Sequence, residues 1–414
     1  MSEMFDIAIV GGGMVGASLA VALEGLGVRI ALIEAVPHHD AAQPSFDERT
    51  TALSNGSRRI LETLGIWPTL SAAATPIRKI HVSDQGRFGF ARIDAAEQNL
   101  SAMGYVVPNR SLGSALWAAL SPSARVRLFC PAQVLRVTAG EHSVELSISA
   151  GATELAGGGE STIETRLVVA ADGAQSAVRG AFGVAAQVRD YDATAVITAV
   201  LPQRFHDYVA YERFTDSGPL ALLPLADGRC TLVLTLKPAM AAQALEWSDA
   251  EFLAEVQRRF GFRLGRFLKV GRRVPYPLSL TRSNRTSAGR CVIVGNAAQG
   301  LHPVAGMGFN LGLRDVASLA ELIAEHRSAN HIDCGDAKLL AEYDAWRAAD
   351  RDGIIAFTDG LIRLFSNPLR AVQHLRNLGL LAFDVLPPAK AALSRLSTGA
   401  SGRIPKLARG VALR

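Results

Sequence analysis

The chain opens on an apolar run, Phe5-Asp-Ile-Ala-Ile-Val10, that passes straight into a glycine turn. A short apolar run bounded by glycines predicts a buried strand, here residues 6–10. An Ala-, Val- and Leu-rich stretch from about Met14 to Leu26 predicts a helix, Gly27 closes it, and 28–34 reads as the next strand. Strand, helix and strand in that order make a βαβ unit and imply a parallel, doubly wound sheet. Residues 55–64 and 111–120 read as helices, and the polar stretch after the first, to about Ala102, as irregular. Short strands follow at 126–129 and 134–137. A strand at 144–149 is expected to pair with one near 162–165 across the glycines 157–159. A buried strand at 166–171 ends in Asp172-Gly173.

The pattern changes between about Ala186 and Arg285. Segments 195–201, 208–214, 220–224 and 230–236 alternate or are β-branched, with turn residues such as Asp227-Gly228 between them. Period-two alternation predicts an antiparallel sheet, with one helix near 249–260. The earlier pattern resumes at 291–294 and continues through long helices. The expected fold is therefore α/β with α+β character. A discontinuous Rossmann-like dinucleotide-binding domain would comprise 1–72, 100–185 and 286–360. An inserted antiparallel-sheet domain would comprise 73–99 and 186–285, and 361–414 would form a basic C-terminal helical region.

Size agrees with this division, because 414 residues exceed the ~250–300 at which single cores stop growing. No apolar run reaches the ~20 residues of a membrane-spanning helix, and the N-terminus has no signal-type segment, so the expected location is the cytosol. Cys130, Cys230, Cys291 and Cys334 share no close spacing, which argues against zinc sites, redox pairs and a disulfide framework; no metal site is expected. The net charge of +5 is uneven: from Leu361 onward nine Lys or Arg face a single acid, Asp384. Such a run is either a solvated face or a surface for anionic lipid or an acidic partner. Without interleaved aromatics it is not a nucleic-acid platform.

Three stretches carry candidate chemistry. In Gly11-Gly-Gly-Met-Val-Gly16, Gly11 allows a tight turn, Gly13 lets the backbone approach a pyrophosphate, and Gly16 lets the helix pack on the sheet. The helix N-terminus then offers unpaired N–H groups and partial positive charge. Glu34 ends the second strand, where a carboxylate accepts from ribose hydroxyls and disfavours a 2′-phosphate. The second stretch, Leu167 to Arg179, delivers Asp172 to the C-terminal edge of the sheet, with Ser176 as a helix start. Asp172 reads equally as a ligand contact and as a cap on backbone N–H groups. The third, Gly295-Asn-Ala-Ala-Gln-Gly-Leu-His-Pro-Val-Ala-Gly-Met-Gly-Phe-Asn310, is a Gly- and Pro-rich loop entering a helix at about Phe309. Its glycines, Gly306 and Gly308 among them, let backbone amides approach a flat ring, and the helix favours negative charge there. Pro303 is a rigid lid beside that ring, and His302 is by default a structural histidine.

Together the three motifs resemble those of the class A flavoprotein aromatic hydroxylases, with the fold typified by p-hydroxybenzoate hydroxylase, over nearly the whole chain. Phe46-Asp-Glu-Arg-Thr-Thr-Ala-Leu-Ser54, Gly218-Pro-Leu-Ala-Leu-Leu-Pro224 and Gly295-Asn-Ala-Ala-Gln-Gly-Leu-His-Pro303 are most similar to the ubiquinone-biosynthesis hydroxylases, in particular the 2-octaprenyl-6-methoxyphenol hydroxylase branch. That resemblance implies FAD as cofactor, NAD(P)H as reductant and O2 as co-substrate. It implies that Glu34 binds the adenosine ribose, that Arg49 and Arg110 lie along the dinucleotide, and that Asp172 and Arg179 serve both FAD and NAD(P)H. Asn296 takes the place of the usual ribityl-binding Asp, and Phe309 and Asn310 meet the flavin pyrimidine edge through their backbone. His302 and Pro303 would lie beside the flavin ring.

The implied reaction is ring hydroxylation of a polyprenylated phenol through a flavin C4a-hydroperoxide. No residue declares itself as base for the phenol, and Tyr211, Arg213 and His302 are candidates. Such a substrate lives in the bilayer, so peripheral contact with the inner membrane, or with other ubiquinone-biosynthesis proteins, is implied. The mixed apolar and Arg stretch 361–385 reads either as an interfacial helix or as a core helix with its arginines in solvent. Two alternatives stand beside this reading: a hydroxylase of another phenolic substrate, and a non-catalytic FAD-binding subunit of a biosynthetic complex, for which the uncharged Asn296 speaks.

Overall fold

The computed structural model describes residues 3–40, 43–47, 49–120, 123–150, 159–301, 306–328, 333–367, 369–386, 388–390, 392–393 and 402–413. The first sheet is built around strand Glu3–Val10, which pairs in parallel with Ile30–Ile33 on one side and Glu160–Ala170 on the other. Val126–Phe129 and Cys291–Ile293 extend it in parallel at the two edges. Where they meet, residues 7–10, 30–33, 167–170 and 291–293 are continuous apolar runs because both faces are covered. On one face, helices Met14–Glu24 and Met307–Ser328 pack Leu19, Leu23, Leu313 and Val316 against Ile7, Ile9 and Val169. On the other, Val144, Leu146 and Ile148 of an antiparallel ribbon cluster with Ala8, Val10 and Val168.

The second sheet alternates with period two, as its sequence does. Strand Ala186–Pro202 is flanked antiparallel by Val274–Ser283 and Cys230–Leu236. Gly218–Pro224 and Val209–Thr215 follow, and Lys79–Asp84 and Phe90–Asp94 complete the far edge. One face buries Val196, Val200, Leu220, Leu222, Leu232 and Leu234 with Phe252, Val256 and Phe260 of helix Asp249–Phe260. The other face looks back toward the first sheet. The two are tied where Thr281 pairs with Gly300, where Tyr276 Oη donates to Asp47 Oδ2 (2.9 Å), and where the Thr50 and Thr231 hydroxyls meet at 3.0 Å.

Three local expectations need correction. The stretch read as irregular holds strands Thr75–Ile77, Lys79–Asp84 and Phe90–Asp94, in which Ile77, Ala91 and Ile93 are buried and so are the polar Thr75, Ser83 and Asp84. The two strands expected at 162–165 and 166–171 are one, Glu160–Ala170, long enough to serve the ribbon and the parallel sheet together. Of the turn 157–159 between the ribbon strands, residues 157 and 158 lie outside the described residues.

The third correction is the larger. Helix Arg370–Val385 packs against Phe90–Asp94, and its polarity is reversed. Arg376 and Asn377 are buried, Arg376 paired with Asp84 and Asn377 Oδ1 accepting from Gly89 N at 3.0 Å. Leu375, Leu378 and Val385 are 69%, 56% and 74% exposed. An Arg facing inward with leucines outward is the opposite of a core helix. Most of the basic C-terminal charge is also answered within the chain. Arg363 pairs with Asp359, Lys390 with Glu97 and Asp384, Arg403 with Glu321, Glu325 and Glu342, and Lys406 with Glu325. Leu407 and Ala408 close the chain back onto the first core.

Candidate active site

Between the two sheets lies a cavity of about 1660 Å³. A drug-sized ligand needs ~300–1,000 Å³, so this space holds a dinucleotide and a second molecule. Its walls come from the three sequence motifs at one end, the second sheet along the middle, and helices Ala337–Ser366 and Arg370–Val385 at the other.

At the first end the backbone makes the site. Gly11 has φ +105°, and a Cβ there would lie 2.4 Å from Ala171 O; one on Gly16 would lie 1.8 Å from Gly11 O. These are the close approaches that the glycine spacing implied, and Gly13 stands at the N-cap of helix Met14–Glu24. Glu34 is buried and already engaged: its Oε2 accepts from Gly12 N (2.6 Å) and its Oε1 from Val36 N (2.9 Å). The acid thus shapes the glycine turn as well as lining the cavity. Trp117 Nε1 donates to Gly12 O at 3.1 Å, and its ring stacks on His38.

Asp172 divides its two oxygens between the two roles proposed for it. Oδ2 accepts from Val178 N at 3.2 Å, as a cap, while Oδ1 is buried with no partner among the described residues. A buried carboxylate oxygen without a donor costs free energy unless a ligand supplies one. Ser176 caps the helix by accepting from Arg179 N, and Arg179 donates to Ala297 O at 2.7 Å, joining the second motif to the third.

In the third motif, Gly295 turns at φ +57° and Asn296 is exposed to the cavity. Asp315, inside helix Met307–Ser328, holds the turn: its Oδ2 accepts from Gly295 N (3.0 Å) and Gln299 Nε2 (2.7 Å). Arg347 anchors that carboxylate through Nε at 2.7 Å and also pairs with Asp350. Gln299 is therefore a donor to a fixed acid. The helix begins at Met307, two residues before the expected start, so Gly306, Met307, Gly308 and Phe309 bring its N-terminus into the cavity wall. Asn310 spends its side chain on the scaffold, donating to Ala52 O (2.8 Å) and Gly306 O (2.7 Å) and accepting from Ser54 N (2.7 Å). His302 and Pro303 lie outside the described residues.

Arg49 lines the cavity, paired with Asp47 at 2.6 Å and lying 4.4 Å over the Tyr276 ring. Arg110 does not line it. Arg110 is exposed on helix Asn109–Leu120, and its neighbour Asn109 has the inward position, with Oδ1 accepting from Thr51 Oγ1 at 2.7 Å.

The second sheet places the candidate bases differently from one another. Tyr211 packs edge-on to Phe260, and Arg213 donates to Arg259 O and Ser83 Oγ, both on the helix-covered face. Strand alternation turns the side chains of Ala210, Glu212 and Phe214 to the cavity, whose wall Tyr211 also touches. Glu212 makes no hydrogen bond or ion pair with a described residue, and burial raises its carboxyl from the ordinary value to about 7. The sequence reading passed over Glu212, although strand parity around Tyr211 and Arg213 held the signal. It also passed over Asp315 and Arg347, visible as charges inside otherwise apolar helices.

The glycine cradles, the helix N-termini and the unanswered acid oxygen suit a bound dinucleotide, with room beside it for a second molecule. The chain belongs to the family described as the FAD binding domain, whose model matches residues 4–358. It is 38% identical to ubiquinone hydroxylase UbiL of Rhodospirillum rubrum, over 99% of this chain and 94% of that protein. It is 33% identical to 3-demethoxyubiquinol 3-hydroxylase of Escherichia coli, over 92% and 94%. The fold is shared with p-nitrophenol 4-monooxygenase PnpA of Pseudomonas putida, at TM-score 0.78 and 20% identity, covering 97% of this chain and 100% of that one.

Proposed function

We propose that this flavoprotein hydroxylates the ring of a polyprenylated phenol on the way to ubiquinone, a step of the 2-octaprenyl-6-methoxyphenol type. The observation that carries the reading is the continuity of the cavity, from the glycine cradle past an apolar sheet to the leucines and phenylalanines of the C-terminal helices. Its relatives named as ubiquinone hydroxylases support the substrate class.

Bound FAD, reduced by NAD(P)H, supplies the activated oxygen. The chain does the rest. The N-terminus of helix Met14–Glu24 meets the pyrophosphate, Glu34 the ribose, and Asp172 Oδ1 a donor of the cofactor. The amides at 306–309 would favour the negative charge that reduction places on the flavin, and Asn296 would hydrogen-bond the ribityl chain without adding charge. The second sheet keeps water away from the reacting ring.

The prenyl tail lies along Leu361, Leu364, Phe365, Leu375, Leu380 and Phe383. Exposed Leu364, Leu369, Leu375, Leu378, Val385 and Leu386 form an apolar face beside that exit, which fits contact with a lipid surface. No helix among the described residues is long and apolar enough to cross a membrane. The contact is peripheral and rests on leucines, because the nearby cations are largely paired.

The test is anaerobic reduction of the purified holoenzyme by NAD(P)H, with and without a short-chain prenylated methoxyphenol. Faster flavin bleaching with the phenol is expected; a rate indifferent to it would contradict the reading.

A further inference from the structure

Along strand Val209–Thr215 the cavity-facing positions are Ala210, Glu212 and Phe214, each about 7 Å from the next. Ala210 clusters with Ala52 and Leu223, and Ala52 accepts from Asn310 of the flavin loop. Phe214 stacks on Phe365 at 3.5 Å between centroids, beneath the Arg376–Asp84 pair. Glu212 thus lies between the flavin side and the aromatic plug that leads to the prenyl exit. Its neighbours in register, Ala91, Val82, Ala221, Val233 and Ile197, are all apolar and all line the cavity.

Five charged side chains line this space among the described residues: Glu34, Arg49, Asp172, Glu212 and Arg376. Glu34 accepts from backbone amides, Arg49 is paired with Asp47, Asp172 caps a helix, and Arg376 is paired with Asp84. On the C-terminal helix, Asp384 answers Lys390 and the Arg92 amide. His81, Arg92, Arg213 and Arg263 lie across the sheet, on its other face. Among the described residues, Glu212 alone points into the apolar middle without a hydrogen-bond or ion-pair partner. The Glu212 carboxyl is half-buried and open to the cavity, so a hydroxyl that enters gives it a partner.

We propose that the Glu212 carboxylate receives the phenolic hydroxyl of the substrate ring, accepting its hydrogen bond and then its proton. The phenol O–H bond breaks, the proton passes to a Glu212 oxygen, and the negative charge stays on the ring oxygen. The ring becomes more electron-rich just when it must attack an electrophilic oxygen. Arg213 cannot do this because the strand turns it away, and Tyr211, which touches the cavity wall, keeps its own proton because burial raises its hydroxyl above the ordinary value. The assignment rests on the hydroxylase reading above. A carboxyl raised to about 7 by burial alone is matched to such a transfer near neutral pH.

The experiment compares wild-type, Glu212→Gln and Glu212→Asp holoenzymes with the short-chain prenylated methoxyphenol, from about pH 5 to about pH 9. Wild-type product formation should rise as pH passes through about 7, where Glu212 becomes the carboxylate. Glu212→Gln should lose about 100-fold and show no step there. Its bound FAD, visible spectrum and phenol-independent reduction should match wild type. Glu212→Asp should keep the step at a lower rate, and it carries the test alone if the Gln variant loses flavin. Glu212→Gln within about threefold of wild type, with the same pH step, overturns the role of Glu212 and leaves the hydroxylase reading intact. Wild type that makes no hydroxylated product overturns both.

Discussion

The two ends of the cavity are made by different means. At the dinucleotide end the contacts are backbone: glycines without a Cβ, helix N-termini and turns held by Glu34 and Asp315. At the phenol end they are side chains on a rigid sheet, nearly all apolar, with one unpaired acid. Backbone recognition leaves almost no freedom in the sequence, because a single added methyl collides with a neighbour. Side-chain recognition leaves much, because many apolar residues fill the same wall. The first end says which cofactor is held; the second decides which phenol reacts.

The comparison can be broken most severely at Gly16. Gly16→Ala puts a Cβ 1.8 Å from Gly11 O, so the purified variant should contain no flavin, read from its visible spectrum. Asp315→Ala removes the acid shared by Gly295, Gln299 and Arg347 and leaves the buried guanidinium with Asp350 alone. Stability should fall by about 3–5 kcal/mol, measured by denaturant titration, with weaker FAD binding.

At the other end the expected effects are smaller. Leu378→Asp with Val385→Asp places two charges on the exposed face of helix Arg370–Val385. Sedimentation with phospholipid vesicles should fall by about tenfold, while turnover of a short-chain phenol should hold, since the apolar burial lost is about 2 kcal/mol. The smallest effect returns to the cofactor. Asp172→Asn keeps an acceptor for Val178 N but replaces a charged oxygen in the cavity, so FAD affinity should drop about tenfold, measured by flavin fluorescence.

The same contrast explains what was legible beforehand. The βαβ opening was readable because buried parallel strands are unbroken apolar runs, and the glycine spacing because sterics permit little else at Gly11 and Gly16. The alternation of 208–214 announced a strand, yet its parity had to be known before Glu212 could be separated from Tyr211 and Arg213. One residue of slip exchanges the faces. Strands Lys79–Asp84 and Phe90–Asp94 were hidden by polar residues, since strands of an inserted sheet with one solvated face bury only every second side chain. Helix Arg370–Val385 was left between an interfacial and a core reading, and the buried Arg376–Asp84 pair with exposed Leu378 and Val385 favours the interfacial one. Arg110 illustrates a finer limit, for one helical step separates its solvent position from the inward Asn109.

The central claim is that one continuous cavity brings reduced FAD and a phenol ring together for oxygen transfer. The most direct measurement is turnover of the holoenzyme with NAD(P)H, the short-chain prenylated methoxyphenol and isotopically labelled O2, followed by mass spectrometry of the product. The account predicts a quinol carrying one labelled oxygen on the ring for each reductant consumed. Oxidation of NAD(P)H with peroxide as the product and an unlabelled ring, in the presence of saturating phenol, would contradict it.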